Sequence, residues 1–86
     1  QNYPNPFNPV TRINYDLPYS GMVRLTVYNL LGREVTTLVN DHQEPGRYSL
    51  IWNGQDHYNR MVSSGVYFYH LSTPEYNKTK KMILLK

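Results

Sequence analysis

Hydrophobic and polar residues alternate along most of this chain with a period of two, the spacing of strands that bury one face and solvate the other. From Thr11 to Leu17, the residues Ile13, Tyr15 and Leu17 fall on one side and Arg12, Asn14 and Asp16 on the other. Pro18 to Gly21 is a turn cluster, after which Val23, Leu25 and Val27 alternate with Arg24, Thr26 and Tyr28, so a hairpin is expected between the two runs. Asn29 to Gly32 makes the next turn, where Gly32 supplies positive φ, and Glu34 to Val39 reads as a third strand. Val35 and Leu38 stand three apart, which breaks the alternation and predicts a bulge or a frayed strand. Asp41 to Gly46 is expected to be a polar loop. Tyr48, Leu50 and Trp52 then alternate with Arg47, Ser49 and Ile51, and Asn53-Gly54 is the strongest local turn signal in the chain. A short strand is expected at Arg60 to Val62, followed by a turn at Ser63 to Gly65. A strand follows from Val66 to Ser72, with Tyr67, Tyr69 and Leu71 on one face. After a turn at Pro74 to Lys78, the last strand runs from Lys80 to Leu85. No stretch carries the i, i+3, i+4, i+7 apolar stripe of a helix. About seven short strands, with turn signals every ~8 to 12 residues, predict an all-β antiparallel sandwich.

Residues 1–10 depart from this pattern. Pro4, Pro6 and Pro9 remove backbone donors and push the residues before them towards extended geometry, so the segment cannot pair regularly in a sheet. It is either a linker or a clamp. Tyr3, Phe7 and Val10 offer apolar surface that a Gly/Ser linker lacks, and docking along the sandwich is expected.

The length of 86 residues allows a single domain, a proline-rich opening segment at 1–10 and a sandwich at 11–86, and leaves little interior for an elaborate active site. With no cysteine there is no disulfide scaffold and no thiolate metal site. The formal charge of +3 is unevenly spread. All four lysines, Lys78, Lys80, Lys81 and Lys86, lie in the last nine residues, which hold no acid, while the preceding 77 residues sum to −1. Basicity is thus a property of one end, and a general nucleic-acid-binding surface loses its support. No apolar run approaches the ~18 residues that span a bilayer, and no membrane insertion is expected. Gln1 rather than Met stands first, so an upstream domain is expected beyond this chain.

Candidate chemistry is sparse. His42, His57 and His70 are far apart and share no ligand spacing, so they read as surface or structural histidines and no metal is expected. Asn53, Asp56 and Asn59 place oxygen donors in one loop, but calcium wants several carboxylates, and Asx hydrogen bonds within a turn account for the same residues. With no nucleophile elbow, phosphate loop or paired-carboxylate spacing, the chain is expected to be neither an enzyme nor a cofactor binder. Tyr15, Tyr48, Trp52, Tyr67 and Tyr69 fall on core faces. Tyr3, Tyr19, Tyr58 and Tyr76 fall in loops, where they pack at the rim or stack on sugars or a partner. The terminal lysines either protect an edge strand from unwanted pairing or are read by another protein.

Taken together, Asn2-Tyr3-Pro4-Asn5-Pro6-Phe7-Asn8-Pro9 with Thr11, Ile13, Tyr15 and Leu17-Pro18 resembles the opening motif of the type A C-terminal sorting domains of type IX secretion cargo. The middle segments Val27-Tyr28-Asn29, Leu31-Gly32-Arg33-Glu34-Val35, Trp52-Asn53-Gly54 and Ser64-Gly65-Val66-Tyr67-Phe68-Tyr69, and the closing Thr79-Lys80-Lys81-Met82-Ile83-Leu84-Leu85-Lys86, are similar to that family too, and the chain finishes at what looks like a native C-terminus. Asn53-Gly54 stands where the family commonly has Asp-Gly, and Asn59 stands where a glycine often precedes the arginine; Asn tolerates the left-handed region better than other non-glycine residues. The stretch from Trp52 to Tyr69 is also similar to the Ig-like domain of the flagellar hook-capping protein. The resemblance implies an Ig-like or fibronectin-like sandwich that acts as a non-catalytic secretion signal. It would direct an upstream cargo domain, joined in cis, through the periplasm and the outer membrane of a Gram-negative cell to the surface or medium. Its implied partners are the outer-membrane translocon, shuttle components and a sortase-like peptidase. The last strand, Lys80, Lys81, Met82, Ile83, Leu84, Leu85 and Lys86, is the expected recognition element, adding to a partner's sheet while its lysines meet acidic rims. Two alternatives stay open: a structural Ig-like module that spaces domains or self-associates through its edges, and a carbohydrate-binding module.

Overall fold

The computed structural model describes residues 11–85. Six strands follow one another as β1 (Thr11–Leu17), β2 (Gly21–Asn29), β3 (Glu34–Gln43), β4 (Gly46–Trp52), β5 (Gly65–Ser72) and β6 (Asn77–Leu84). They form a four-stranded sheet in the order β3-β2-β5-β6 and a two-stranded sheet of β1 with β4, every pair antiparallel. Both sheets contribute to one core. Ile13 and Leu17 of β1, Val23, Leu25 and Val27 of β2, Trp52 of β4, Leu71 of β5 and Leu84 of β6 are almost wholly buried. Each such aliphatic side chain stabilises the fold by about 1.5–3 kcal/mol relative to exposure. This is the expected antiparallel sandwich, with the inward faces predicted for β1, β2, β4 and β5.

Besides the last strand, which begins at Asn77 inside the expected Pro74–Lys78 turn and ends at Leu84, three local expectations need correction. The first is the hairpin between β1 and β2: β1 pairs with β4 through Thr11↔Trp52 to Leu17↔Gly46, and β2 pairs with β3 and β5. Pro18, Tyr19 and Ser20 therefore carry the chain from one layer to the other, so that Ile13 and Leu17 meet Val23 and Leu25 across the core instead of beside them. The second is the polar loop at 41–46. β3 continues to Gln43, pairing Asp41, His42 and Gln43 with Val23, Met22 and Gly21, and only Glu44-Pro45 links it to β4 in the other sheet. An exposed strand edge tolerates these polar side chains, which is why their character does not end the strand. The third is the short strand at Arg60 to Val62, which reduces to one bridge between Gln55 and Met61 and a bond from the Val62 amide to the Gly54 carbonyl.

The bulge prediction holds at both residues that prompted it. The β2–β3 register slips between Leu25↔Val39 and Thr26↔Thr37, leaving Leu38 extra, and again between Val27↔Thr36 and Tyr28↔Glu34, leaving Val35 extra. The Asn53-Gly54 turn also forms as expected. Gly54 takes φ +77°, and a Cβ there would sit 3.3 Å from a Leu84 methyl, so both conformation and space call for glycine. Trp52 anchors that end: its indole N–H donates to the Gln55 carbonyl (2.9 Å), and Tyr67 meets its ring edge-on at 5.1 Å.

Candidate recognition surface

β6 is an edge strand because nothing among the described residues follows it in the sheet: it pairs with β5 alone, from Gly65↔Leu84 to Ser72↔Asn77. Its hairpin to β5 is set by Thr73, whose buried hydroxyl accepts the amides of Glu75 and Tyr76 and donates to the Tyr76 carbonyl (2.9 Å). Along β6 the side chains alternate. Met82 and Leu84 face the core, at 6% and 1% exposure, whereas Ile83 and Leu85 are 60% and 72% exposed. Lys81 lies on the outer face with Ile83, across from Phe68. Lys80 shares the parity of Met82 and Leu84 yet is exposed, as is Lys78, which lines an open groove beside β1. On the outer face, His70 Nδ1 meets the Thr79 hydroxyl at 2.7 Å across the β5–β6 pair.

The ion pairs among the described residues are Arg24–Glu34, His42–Glu44, Arg47–Asp16 and Arg60–Asp56, so none of them involves Lys78, Lys80 or Lys81. Cationic charge without a carboxylate partner, on an edge with unfilled backbone positions and two exposed aliphatic side chains, is chemistry suited to an acidic, strand-forming partner surface. Lys80, Lys81, Met82, Ile83 and Leu84 are thus brought together on one strand, with Leu85 directly after it, though Met82 and Leu84 serve the core. Lys86 and the opening motif Asn2, Tyr3, Pro4, Asn5, Pro6, Phe7, Asn8 and Pro9, with its expected docking, lie outside the described residues.

The other candidates resolve into structural roles. In the 53–59 loop, Asp56 Oδ1 accepts the amides of Tyr58 (2.9 Å) and Arg60 (3.0 Å), and its Oδ2 meets Arg60 Nε at 3.2 Å. The Arg60 amide bond foremost, with the Tyr58 amide and the Arg60 charge, holds the Asp56 carboxyl below the usual carboxylate range. Asn59 adopts φ 65°, the left-handed conformation its place before Arg60 called for. His57 packs against Tyr58 at 4.0 Å, and the Arg60 guanidinium lies over the Tyr58 ring at 4.9 Å. Tyr76 is partly buried and its hydroxyl donates to the Asp16 carbonyl on β1. No ring contact joins Tyr19, Tyr58 and Tyr76 into a platform among the described residues. Tyr15, Tyr67 and Tyr69 are buried, as their strand faces predicted, and Tyr48 stacks on Tyr15 at 5.2 Å. Burial pushes the phenols of Tyr15, Tyr69 and Tyr76 up from their ordinary value. The sequence did not single out Lys78 as a strand residue, having placed it in a turn; its parity with Met82 and Leu84 was the signal available.

A family model described as the secretion system C-terminal sorting domain matches residues 1–85. No curated protein sequence matches the chain. Among solved structures, FlgD from P. aeruginosa is similar, with a TM-score of 0.66 and 26% identity over 87% of this chain. The match spans 59% of that FlgD chain. It agrees with the kinship to the hook-capping Ig-like domain expected from Trp52 to Tyr69.

Proposed function

The chain belongs to the secretion system C-terminal sorting domains, and from that premise we propose that it directs an upstream cargo protein through the periplasm and across the outer membrane of a Gram-negative cell by type IX secretion. Sorting domains are signals and not catalysts, so their work is to be recognised. β6 is the recognised element: the translocon or a shuttle component pairs with its free edge, Ile83 and Leu85 enter apolar sites, and Lys80, Lys81 and Lys86 meet acidic groups. Attachment of the cargo at the cell surface follows, with removal of the domain by a sortase-like peptidase. The observation that carries this role is the continuous, unbulged edge of β6 with Ile83 and Leu85 turned to solvent.

A reporter fused ahead of the chain tests it. Deleting residues 81–86 is expected to leave the reporter in the periplasm, and unchanged surface export would end the proposal. Because that deletion also removes the buried Met82 and Leu84, the decisive variant is Ile83→Glu, which alters an exposed position and is expected to block export from a folded domain. Replacing Lys81 and Lys86 by Glu separates the two components: export surviving that change leaves strand addition standing and removes charge recognition.

A second reading, self-association of a structural module, draws on the same free edge, since an unprotected strand is a template for its own copy. Light scattering on the purified chain separates the two, a monomer favouring the signal role and a stable polymer the assembly role.

A further inference from the structure

Among the described residues β1 pairs with β4 alone and so has a free edge of its own, on the flank where Tyr76 and Lys78, at the start of β6, lie beside it. Tyr76, in the β5–β6 turn, donates to the Asp16 carbonyl, so the Asp16 backbone points away from β4. In an antiparallel pair the N–H and C=O of one residue point the same way and alternate along the strand. Arg12 and Asn14 therefore present their N–H and C=O groups to the same free edge. That edge borders an open groove lined by Asn14, Asp16, Pro18, Arg47, Tyr76 and Lys78. Asp16 is matched by Arg47 at 3.8 Å, whereas no carboxylate pairs with Lys78, nor with Lys80 one step along the same face of β6.

We propose that the free edge of β1 is a docking slot for an extended, acidic segment of a second protein. That segment joins β1 as a third strand of the small sheet and sets its carboxylates against Lys78 and Lys80. Two features select this occupant. The exposed backbone groups of Arg12 and Asn14 recognise a strand and not a helix or a compact surface. The unbalanced lysines, which sit at inner-face positions where an apolar residue would otherwise be expected, select carboxylates on the side of that strand facing the flank. The side chain of Tyr76 already occupies the Asp16 carbonyl and marks where the pairing ends. The slot itself does not depend on the sorting role, which is assigned to the edge of β6; of its two lysines, Lys80 is shared with that role and Lys78 belongs to the slot alone.

Nuclear magnetic resonance on the whole 86-residue chain, titrated with a synthetic alternating Glu-Val peptide, tests the slot. Shifts and slowed amide exchange are expected at Arg12 and Asn14. Affinity is expected to fall about tenfold in the Lys78→Glu, Lys80→Glu double variant, which alters exposed side chains only. An alternating Lys-Val peptide is expected not to bind. The proposal is overturned by any of four results: no binding, shifts confined to β6 or β3, equal binding of both peptides, or an affinity indifferent to the double charge reversal. It is overturned as well if the Arg12 and Asn14 amides are already protected in the free chain, since the slot is then filled by the protein itself.

Discussion

β3 and β6 close the same four-stranded sheet from opposite sides, yet β3 slips twice in its register with β2 while β6 keeps register with β5 along its whole eight-residue length. The extra residues Val35 and Leu38 interrupt the row of backbone donors and acceptors on β3, and its outer half carries Asn40, Asp41 and His42. A bulged, twisted and polar edge is a poor template for another strand. β6 has no bulge, exposes Ile83 and Leu85, and carries lysines as its only charged side chains. The sheet thus protects one edge in two ways and leaves the other continuous, guarded by charge of one sign. Charge repels copies of the same strand but attracts an acidic partner, so protection and recognition at β6 are the same device viewed against two different partners.

The largest effect separates the two faces of β6 itself. Leu84→Ala opens a cavity in a wholly buried site and is expected to cost about 2–5 kcal/mol in denaturant unfolding, enough to compromise so small a domain. Ile83→Ala, at an exposed neighbour, is expected to change stability by no more than about 0.5 kcal/mol while lowering export of a fused reporter. Equal stability losses in the two variants would mean that the faces are not divided between core and partner. A middling effect comes from β3. Deleting Leu38 removes one bulge and straightens that edge, and sedimentation is expected to show more self-association than in the parent chain; no change would deny the bulge its protective role. The smallest effect belongs to the core that both edges share. Burial raises the folded-state values of Tyr15, Tyr69 and Tyr76, so the stability tied to their neutral phenols is fully present below about pH 10 and lost as pH rises through the raised values. Melting temperature is expected to be insensitive to these groups at neutral pH and to decline in alkali. Tyr69→Phe, whose phenol is shifted by burial alone, is expected to delay that decline slightly.

Much of the fold was legible because a period of two fixes which face of a strand is buried. Ile13, Tyr15 and Leu17, then Val23, Leu25 and Val27, and Tyr67, Tyr69 and Leu71 all fell on the predicted side. The same period says nothing about which strand lies alongside, so the expected β1–β2 hairpin gave way to the β1–β4 pair, a contact between segments distant in sequence. Alternation also revealed its own failures, and the spacing of Val35 and Leu38 located both bulges. For the candidate surface, the sequence marked the lysine-rich end and a last strand with apolar residues on both faces. Parity could set Lys78 and Lys80 on the side of Met82 and Leu84 but could not show that they stay exposed there, since that depends on how the two sheets overlie one another. Nor could it aim the Arg12 and Asn14 backbone at a free edge, which follows from the β1–β4 pairing together with the Tyr76–Asp16 hydrogen bond.

The central claim, that β6 and not β3 is the edge read by the export machinery, is tested most directly by site-specific photocrosslinking in secreting cells. A crosslinker at the exposed Ile83 position of a reporter fusion is expected to capture an outer-membrane component, and one at the exposed Asn40 position of β3 is expected to capture none. Adducts from position 40 alone, or none from position 83 while the reporter still reaches the surface, would contradict the account.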